Sequence, residues 1–281
     1  MIRPTPPSDP RFALVTGASA GLGRELARRL VLERGMTVLA TARRLDRLEA
    51  LRDELPPGSM QVLAGDLADP SFREALWTWA VARTGGRLDL LINNAGFGAY
   101  ADFADHDFAS IRRIVEVNLF ALMDLTQRAA RVMKTRRSGQ ILQISSTVGS
   151  VGMPYAAAYV ATKHAVNGLT RTIRYELRGS GVRVWAACPG RIRTEFRAAA
   201  LGPGNPDHAD QGEPVERVTS GILRGLDRRG GFIYPTWTAR AIVELARWLP
   251  GPFEWFMMRW SPGHFAREIG RPGRSGRPIN M

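Results

Sequence analysis

Residues 12–34 read FALVTGASAGLGRELARRLVLER, an apolar run that ends in glycines and continues at once into a helical pattern. Phe12–Thr16 predicts a buried strand, and Gly21–Arg34 predicts an amphipathic helix. Glycines allow a tight turn and a close approach of the backbone to a ligand, while the following helix offers free N–H groups and the positive end of its dipole. The stretch therefore predicts the first βα unit of a sheet, with a phosphate site at its turn.

The same alternation continues along the chain. Seven short runs are typical of strands: Phe12–Thr16, Thr37–Thr41, Met60–Ala64, Leu88–Asn93, Gln140–Ser145, Val182–Cys188 and Gly231–Tyr234. The stretches between them are typical of helices, for example Gly21–Arg34, Leu119–Arg136 and Tyr155–Arg178. Strands alternating with helices favour right-handed βαβ units. We predict a Rossmann-like, doubly wound α/β fold, in which one mostly parallel, seven-stranded sheet is flanked by helices on both faces.

We expect one domain, over residues 11–236, because no second core of comparable size follows it. Residues 1–10 contain four prolines and predict a flexible arm. Residues 202–214 are rich in turn-forming residues and predict a mobile loop, and residues 195–213 are expected to act as a lid. Residues 237–281 predict a helical C-terminal extension, broken at Pro250 and ending in a basic tail between Arg267 and Arg277.

The composition is that of a soluble globular protein. The 281 residues are 44% hydrophobic and 23% charged, and no apolar run approaches the roughly 20 residues of a spanning helix. The formal net charge is +13, but the basic residues are spread widely, which argues against nucleic acid as the main partner. The single cysteine, Cys188, excludes an intrachain disulfide and favours a reducing compartment, so we expect a cytoplasmic location. We expect Cys188 to be a buried small side chain rather than a nucleophile, and we expect no metal site.

The second strand predicts which dinucleotide binds. In such folds an acidic residue about 20 positions after the glycines binds a ribose 2′-hydroxyl, whereas an arginine accepts a 2′-phosphate. Here the strand runs into Ala42-Arg43-Arg44, without an acid. Arg43 is therefore the candidate clamp for NADP(H), with NAD(H) as the alternative; a solvated arginine pair is also open. Asp66 could accept a hydrogen bond from an adenine amine, or it could be a turn or cap residue.

A candidate catalytic pair lies in a helical stretch. Tyr159 and Lys163 are four residues apart and therefore share a helix face. A nearby ammonium group favours the phenolate and should lower the pKa of the tyrosine, as general acid–base catalysis requires. Ser146 ends the fifth predicted strand, Asn118 precedes a helix, and Asn93-Asn94-Ala95-Gly96 closes the fourth strand at the same sheet edge.

Together these motifs resemble those of the short-chain dehydrogenase/reductase family, in its single-domain type. The chain carries TGxxxGxG at 16–23, NNAG at 93–96, Asn118, Ser146, YxxxK at 159–163 and Pro189-Gly190 followed by Thr194. The resemblance covers roughly residues 11–236. The serine-to-tyrosine spacing of the family selects Ser146 over its neighbour Ser145.

The resemblance implies a role for each catalytic position. Tyr159 would exchange a proton with the substrate oxygen, and Ser146 would hydrogen-bond that oxygen. Lys163 would lower the pKa of Tyr159 and bind the nicotinamide ribose. Asn118 would hold a water molecule that connects Lys163 to solvent.

Two further sets of candidate residues follow. The cofactor set consists of Gly17, Ser19, Gly21, Leu22, Gly23, Arg43, Arg44, Asp66, Leu67, Asn93, Ala95, Gly96, Tyr159, Lys163, Pro189, Gly190, Ile192 and Thr194. The substrate set, mostly apolar, consists of Phe97, Ser146, Val148, Met153, Tyr155 and Phe196.

We therefore expect an NADP(H)-dependent oxidoreductase that transfers a hydride between nicotinamide and an apolar carbonyl or secondary alcohol. The alternative is an NADP(H)-binding regulator or scaffold without turnover. The resemblance implies a homo-oligomer, either a dimer or a tetramer. The aromatic and arginine-rich extension at 237–281 is expected to pack on the chain or on a partner subunit, and contact with a membrane surface is the alternative that remains open.

Overall fold

The structure is a computed structural model that describes residues 11–196, 200–201, 212–228, 230–260 and 265. The predicted arm at 1–10, most of the predicted lid at 195–213 and the basic tail lie outside the described residues.

Seven strands form a single sheet, as predicted. They are β1 (Arg11–Thr16), β2 (Met36–Ala42), β3 (Met60–Ala64), β4 (Leu90–Asn93), β5 (Gly139–Ile144), β6 (Val182–Ala187) and β7 (Gly231–Ile233). Their order in the sheet is β3-β2-β1-β4-β5-β6-β7. Every pair of neighbouring strands is parallel, so the sheet among the described residues is wholly, rather than mostly, parallel.

Nine α-helices of the described part of the chain connect or follow the strands. They are α1 (Gly21–Arg34), α2 (Leu45–Asp53), α3 (Pro70–Thr84), α4 (Phe108–Val115), α5 (Ala121–Arg136), α6 (Ala157–Glu176), α7 (Val215–Leu226), α8 (Trp237–Trp248) and α9 (Pro250–Arg259). Local chemistry sets several of their ends. Asp69 caps α3 by accepting a hydrogen bond from the Ser71 N–H, and α1 ends at Gly35, whose φ of 58° favours glycine.

The core lies on both faces of the sheet. Along β1 the side chains of Ala13 and Val15 enter one apolar cluster and that of Leu14 enters the other. All three are fully buried. Successive side chains of a strand point to opposite faces, so a strand that is buried on both sides reads as a continuous apolar run.

The strand order places the site. Chain order reverses beside β1, which lies between β2 and β4, and this reversal opens a crevice outside the carboxyl ends of the strands. The residues that follow β1, β4, β5 and β6 therefore meet at one edge of the sheet.

The C-terminal extension begins with two helices. α8 packs its Ala239 and Val243 side chains inward, and Pro250 starts α9 at its first position, where proline is tolerated. In the described part of the chain no helix has the length and apolar character needed to cross a membrane.

Candidate active site

A cavity of about 490 Å³ lies at the carboxyl edge of the sheet. All of the predicted site residues line it except Asn93, Asn118 and Tyr155. The sheet thus brings together a glycine turn, a pair of arginines and the Ser-Tyr-Lys set, which are far apart in the sequence.

The turn after β1 is a cradle without room for side chains. Gly17 and Gly21 have φ values of 68° and 52°, which favour glycine. A Cβ on Gly23 would overlap the Gly17 carbonyl oxygen and the Asn94 side chain. α1 starts after Ala20, whose side chain caps no N–H group of the helix. The N-terminus of α1 therefore has backbone N–H groups that no side chain caps, and the glycine turn lets a ligand approach the backbone closely. Both properties fit the pyrophosphate of a dinucleotide.

Asn94 holds this turn in place. Its Nδ2 donates hydrogen bonds to the carbonyl oxygens of Thr16 and Gly17, at 3.0 and 3.2 Å. Sequence reasoning chose its neighbour Asn93 instead. The structure places the Asn93 side chain behind the sheet edge, where its Nδ2 donates to Thr126 and Gln143. Asn93 therefore joins β4 to the adjacent layer and does not line the cavity.

Arginines surround the far end of the cavity. Arg43 and Arg44 both line it, and Arg44 donates a hydrogen bond of 3.3 Å to the Ser19 Oγ of the glycine turn. Glu195 pairs with Arg44 at 3.3 Å and with Arg47 at 2.6 Å. The hydrogen bond from Arg47 in particular holds the pKa of Glu195 below its usual range. This cluster combines guanidinium and hydroxyl donors, which suit a phosphate group, and it already holds one anion, the Glu195 carboxylate.

Asp66 lines the cavity but has protein partners. Its carboxylate pairs with Arg113 and accepts a hydrogen bond of 3.0 Å from the Ala68 N–H. Burial acts to raise its pKa, yet the hydrogen bonds from Ala68 and Arg113 outweigh this and lower it. Asp66 is therefore a turn residue, which was one of the two predictions for it, and it also lines the cavity.

Tyr159 and Lys163 lie on one face of α6 and point into the cavity. Both are buried, with 8% and 4% of their surface exposed. The Lys163 Nζ donates a hydrogen bond of 2.8 Å to the Ile144 carbonyl oxygen and lies 5.6 Å from the centre of the Tyr159 ring. The end of β5 therefore positions the ammonium group beside the phenol.

Burial dominates the pKa of Tyr159. Burial raises it, the nearby Tyr100 raises it further, and a hydrogen bond with Ser146 lowers it, with a net rise. Burial lowers the pKa of Lys163 to about 8, an effect that the Cys188 thiol opposes. Burial thus disfavours the charged form of both groups, and the lowering of the tyrosine pKa by Lys163 stays a prediction.

Ser146 follows β5 and starts a short 3₁₀ turn, Thr147–Gly149. Its Oγ accepts a hydrogen bond from the Val148 N–H at 3.3 Å and lies 3.4 Å from the Pro189 carbonyl oxygen. The hydroxyl is thus fixed between two loops, near Tyr159.

Asn118 lies in a π-helical turn, Glu116–Phe120, between α4 and α5. Its Oδ1 accepts from the Phe97 N–H at 3.1 Å, and its Nδ2 donates to the Phe97 carbonyl oxygen at 3.0 Å. Such turns occur frequently at functional sites. Asn118 does not line the cavity; it holds the loop that carries Phe97, which does.

The predicted substrate wall is mostly apolar. Phe97, Val148, Met153 and Phe196 line the cavity, and the rings of Phe196 and Tyr159 are 5.7 Å apart. Tyr155 does not line it. Its φ of 61° is unusual for a non-glycine residue, and its carbonyl oxygen accepts from the Ala101 N–H.

Sequence reasoning missed several cavity residues: Asn94, Tyr100, Arg113, Val117 and Glu195. Asn94 lay inside the quoted NNAG motif, so its signal was present, whereas the others follow no spacing rule. Cys188, expected to be inert, is fully buried, and burial raises the pKa of its thiol to about 12.

Comparisons with known proteins agree on one family. The sequence model of the short chain dehydrogenase family matches residues 11–201. An uncharacterized oxidoreductase of Myxococcus xanthus is 34% identical over 86% of this chain and 94% of its own length. The farnesol dehydrogenase of Aedes aegypti is 37% identical over 69% of this chain and 82% of its own length. Among solved structures, a short-chain dehydrogenase from Sphingobium yanoikuyae in complex with NADPH has a TM-score of 0.74 and 30% identity, covering 89% of this chain and 96% of that one.

Proposed function

We propose that this chain, which belongs to the short-chain dehydrogenase family, interconverts a carbonyl group and a secondary alcohol with NADP(H) as the hydride carrier. The observation that carries the proposal is the convergence of Ser146, Tyr159 and Lys163 on one cavity that also contains an uncapped helix N-terminus.

The chain's own residues handle the proton. The Tyr159 hydroxyl donates it to the substrate oxygen during reduction and takes it back during oxidation. The Ser146 hydroxyl donates a hydrogen bond that orients that oxygen. Burial favours a neutral phenol, so Tyr159 is held ready as the acid, and the charged form of Lys163 stabilises the phenolate that donation leaves.

The fit of a dinucleotide rests on the glycine cradle and on the arginines. The Gly17–Gly23 turn and the N-terminus of α1 would hold the pyrophosphate, and Arg43 and Arg44 would hold a 2′-phosphate. When bound, the nicotinamide ring supplies or accepts the hydride. We propose a preference for NADP(H) because β2 ends in Ala42-Arg43-Arg44, without the acid that selects a free ribose hydroxyl.

The substrate is proposed to be apolar. Phe97, Val148, Met153 and Phe196 contribute apolar walls to the cavity and belong to the same apolar cluster as Tyr159. A relative that is 37% identical bears the name farnesol dehydrogenase, which is consistent with a lipophilic alcohol or carbonyl as substrate.

The test is NADPH oxidation by the wild type and by Tyr159→Phe across aldehydes, ketones, quinones and steroid ketones. We expect turnover by the wild type, and a loss of roughly hundredfold or more in the variant, since it lacks the acidic proton. Tyr175→Phe is the matched control, because Tyr175 lies on the same helix but is exposed.

NADPH binding, followed by nucleotide fluorescence, should survive in both variants. Unchanged turnover in Tyr159→Phe would refute the assignment of the acid. Tight NADPH binding without turnover on any carbonyl would favour the non-catalytic regulator instead.

A further inference from the structure

The last two helices expose an unusual amount of apolar surface. Nine of the sixteen large apolar side chains that are exposed among the described residues lie between residues 237 and 260. We call them the α8–α9 apolar surface: Trp237, Ile242, Leu245, Trp248, Leu249, Trp255, Phe256, Met258 and Trp260. Large apolar side chains exposed together on two adjacent helices indicate an interaction site.

The composition of this surface indicates the kind of partner. It contains four of the seven tryptophans of the chain, and each is between 63% and 72% exposed. Tryptophan combines a large apolar ring with a polar N–H group and is enriched at the boundary between a membrane and water. The Phe256 and Trp260 rings stack with their centres 6.2 Å apart, so two aromatic rings lie side by side at the end of α9.

Positive charge accompanies the aromatic residues. The Arg247 guanidinium lies 5.4 Å from the centre of the Trp248 ring. Glu244 is engaged by Arg240 and by the Trp248 N–H. Between residues 237 and 260 the chain carries three arginines and two glutamates, and the sequence beyond residue 260 adds four arginines and one glutamate. Aromatic rings next to arginines suit a lipid bilayer whose acyl region is apolar and whose headgroups are anionic.

We propose that the α8–α9 apolar surface binds the surface of an anionic lipid bilayer, with both helices lying in its headgroup layer. Residues 261–281 are poorly suited to cover the α8–α9 apolar surface, because they include only four large apolar side chains: Phe265, Ile269, Ile279 and Met281. A second copy of the chain is the competing occupant of this surface, and the oligomer mass measured without lipid distinguishes the two.

Docking would bring the cavity close to the lipid. A Cβ on Gly190, which lines the cavity, would lie 4.0 Å from the Ala239 Cβ of α8. Phe265, a few residues beyond α9, also lines the cavity. A lipophilic substrate could then enter from the bilayer; this last step rests on the proposed function, whereas binding to vesicles does not.

The experiment is co-sedimentation of the full chain with phosphatidylcholine vesicles, with and without phosphatidylglycerol. We expect sedimentation with the anionic vesicles, weakened by added salt, and a blue shift of tryptophan fluorescence. The double variant Trp248→Ser/Trp255→Ser should bind about tenfold more weakly, because it loses two apolar anchors. The matched control is Phe103→Ser/Phe108→Ser, which removes two aromatic rings of similar exposure on other elements.

Equal sedimentation of the two double variants would overturn the proposal, as would a wild type that ignores anionic vesicles. A fall in oligomer mass of Trp248→Ser/Trp255→Ser, measured by light scattering without lipid, would assign the surface to a second copy. NADPH binding by each variant checks that the fold is intact, so failure of docking is distinguishable from failure of the proposed chemistry.

Discussion

Replacing Lys163 by methionine should make the protein more stable while abolishing its turnover. Lys163 is buried, and among the described residues its Nζ hydrogen-bonds only the Ile144 carbonyl oxygen and pairs with no carboxylate. A buried ammonium with one neutral partner costs free energy that folding must supply elsewhere. Methionine has a similar length and no charge, so it should remove that cost.

The size of the effect follows from the pKa of Lys163, which burial lowers from 10.5 to about 8. A tenfold change in proton affinity is worth about 1.4 kcal/mol, so the charged form costs roughly 3 kcal/mol at neutral pH. Loss of the hydrogen bond to Ile144 returns about 1 kcal/mol of this. We expect Lys163→Met to raise the free energy of unfolding at pH 7 by about 2 kcal/mol.

The pH dependence gives a second signature. Because the pKa is lower in the folded chain, the unfolded chain binds more protons at Lys163 between pH 8 and 10.5, and the contribution of Lys163 to stability rises with pH in that window. It is lost again as the pH falls from 10.5 through 8. The advantage of Lys163→Met should therefore be full below pH 8 and should shrink toward pH 10.5.

Urea unfolding of wild type and variant from pH 7 to 10 measures this difference. Lys134→Met is the matched control, because Lys134 is the only other lysine and is exposed on α5. It should change stability by less than about 0.5 kcal/mol at any pH. A Lys163→Met chain that is no more stable than wild type at pH 7, or whose advantage does not shrink as the pH rises, would refute the reasoning.

Three further predictions concern the cofactor end of the cavity. Arg43→Ala should weaken NADPH binding about tenfold or more while hardly changing NADH binding. Glu195→Gln should tighten NADPH binding about threefold, because it frees Arg44 from a half-exposed ion pair. Titration calorimetry measures both effects, and parallel changes in the affinity for NADPH and for NADH would contradict the assignment of the arginines to the 2′-phosphate. Gly23→Ala should lower the free energy of unfolding by about 2 kcal/mol and remove most of the nucleotide affinity, because its Cβ has no room. Gly168→Ala is the control: it lies in open space on α6 and should not lower the free energy of unfolding, which urea unfolding measures for both variants.

The sheet and the glycine turn could be predicted from sequence because their signals are local. An apolar run that ends in Gly17 and passes into a helix indicates its own structure, and the four-residue spacing of Tyr159 and Lys163 fixes their shared face. The all-parallel arrangement follows once helices separate consecutive strands.

Other features depend on contacts that no spacing encodes. Whether Asn93 or Asn94 faces the cavity depends on where β4 ends, and a shift of one residue sends the side chain to the other side of the sheet. Glu195 meets Arg47 across 148 residues of sequence. The rise in the pKa of Tyr159 comes from burial, a property of the assembled fold that the sequence spacing of Lys163 does not contain.

The hydrogen bonds of Asn94 also constrain the order of events during synthesis. β1, α1 and β2 leave the ribosome before β4, and pairing between β1 and β2 needs only a short chain. The turn between β1 and α1 is held by an amide 78 residues further along, so this part of the site is complete only after β4 has docked beside β1. A nascent chain shorter than this lacks the finished cradle. The nucleotide can therefore stabilise the completed domain by mass action, but it cannot guide the first steps of folding.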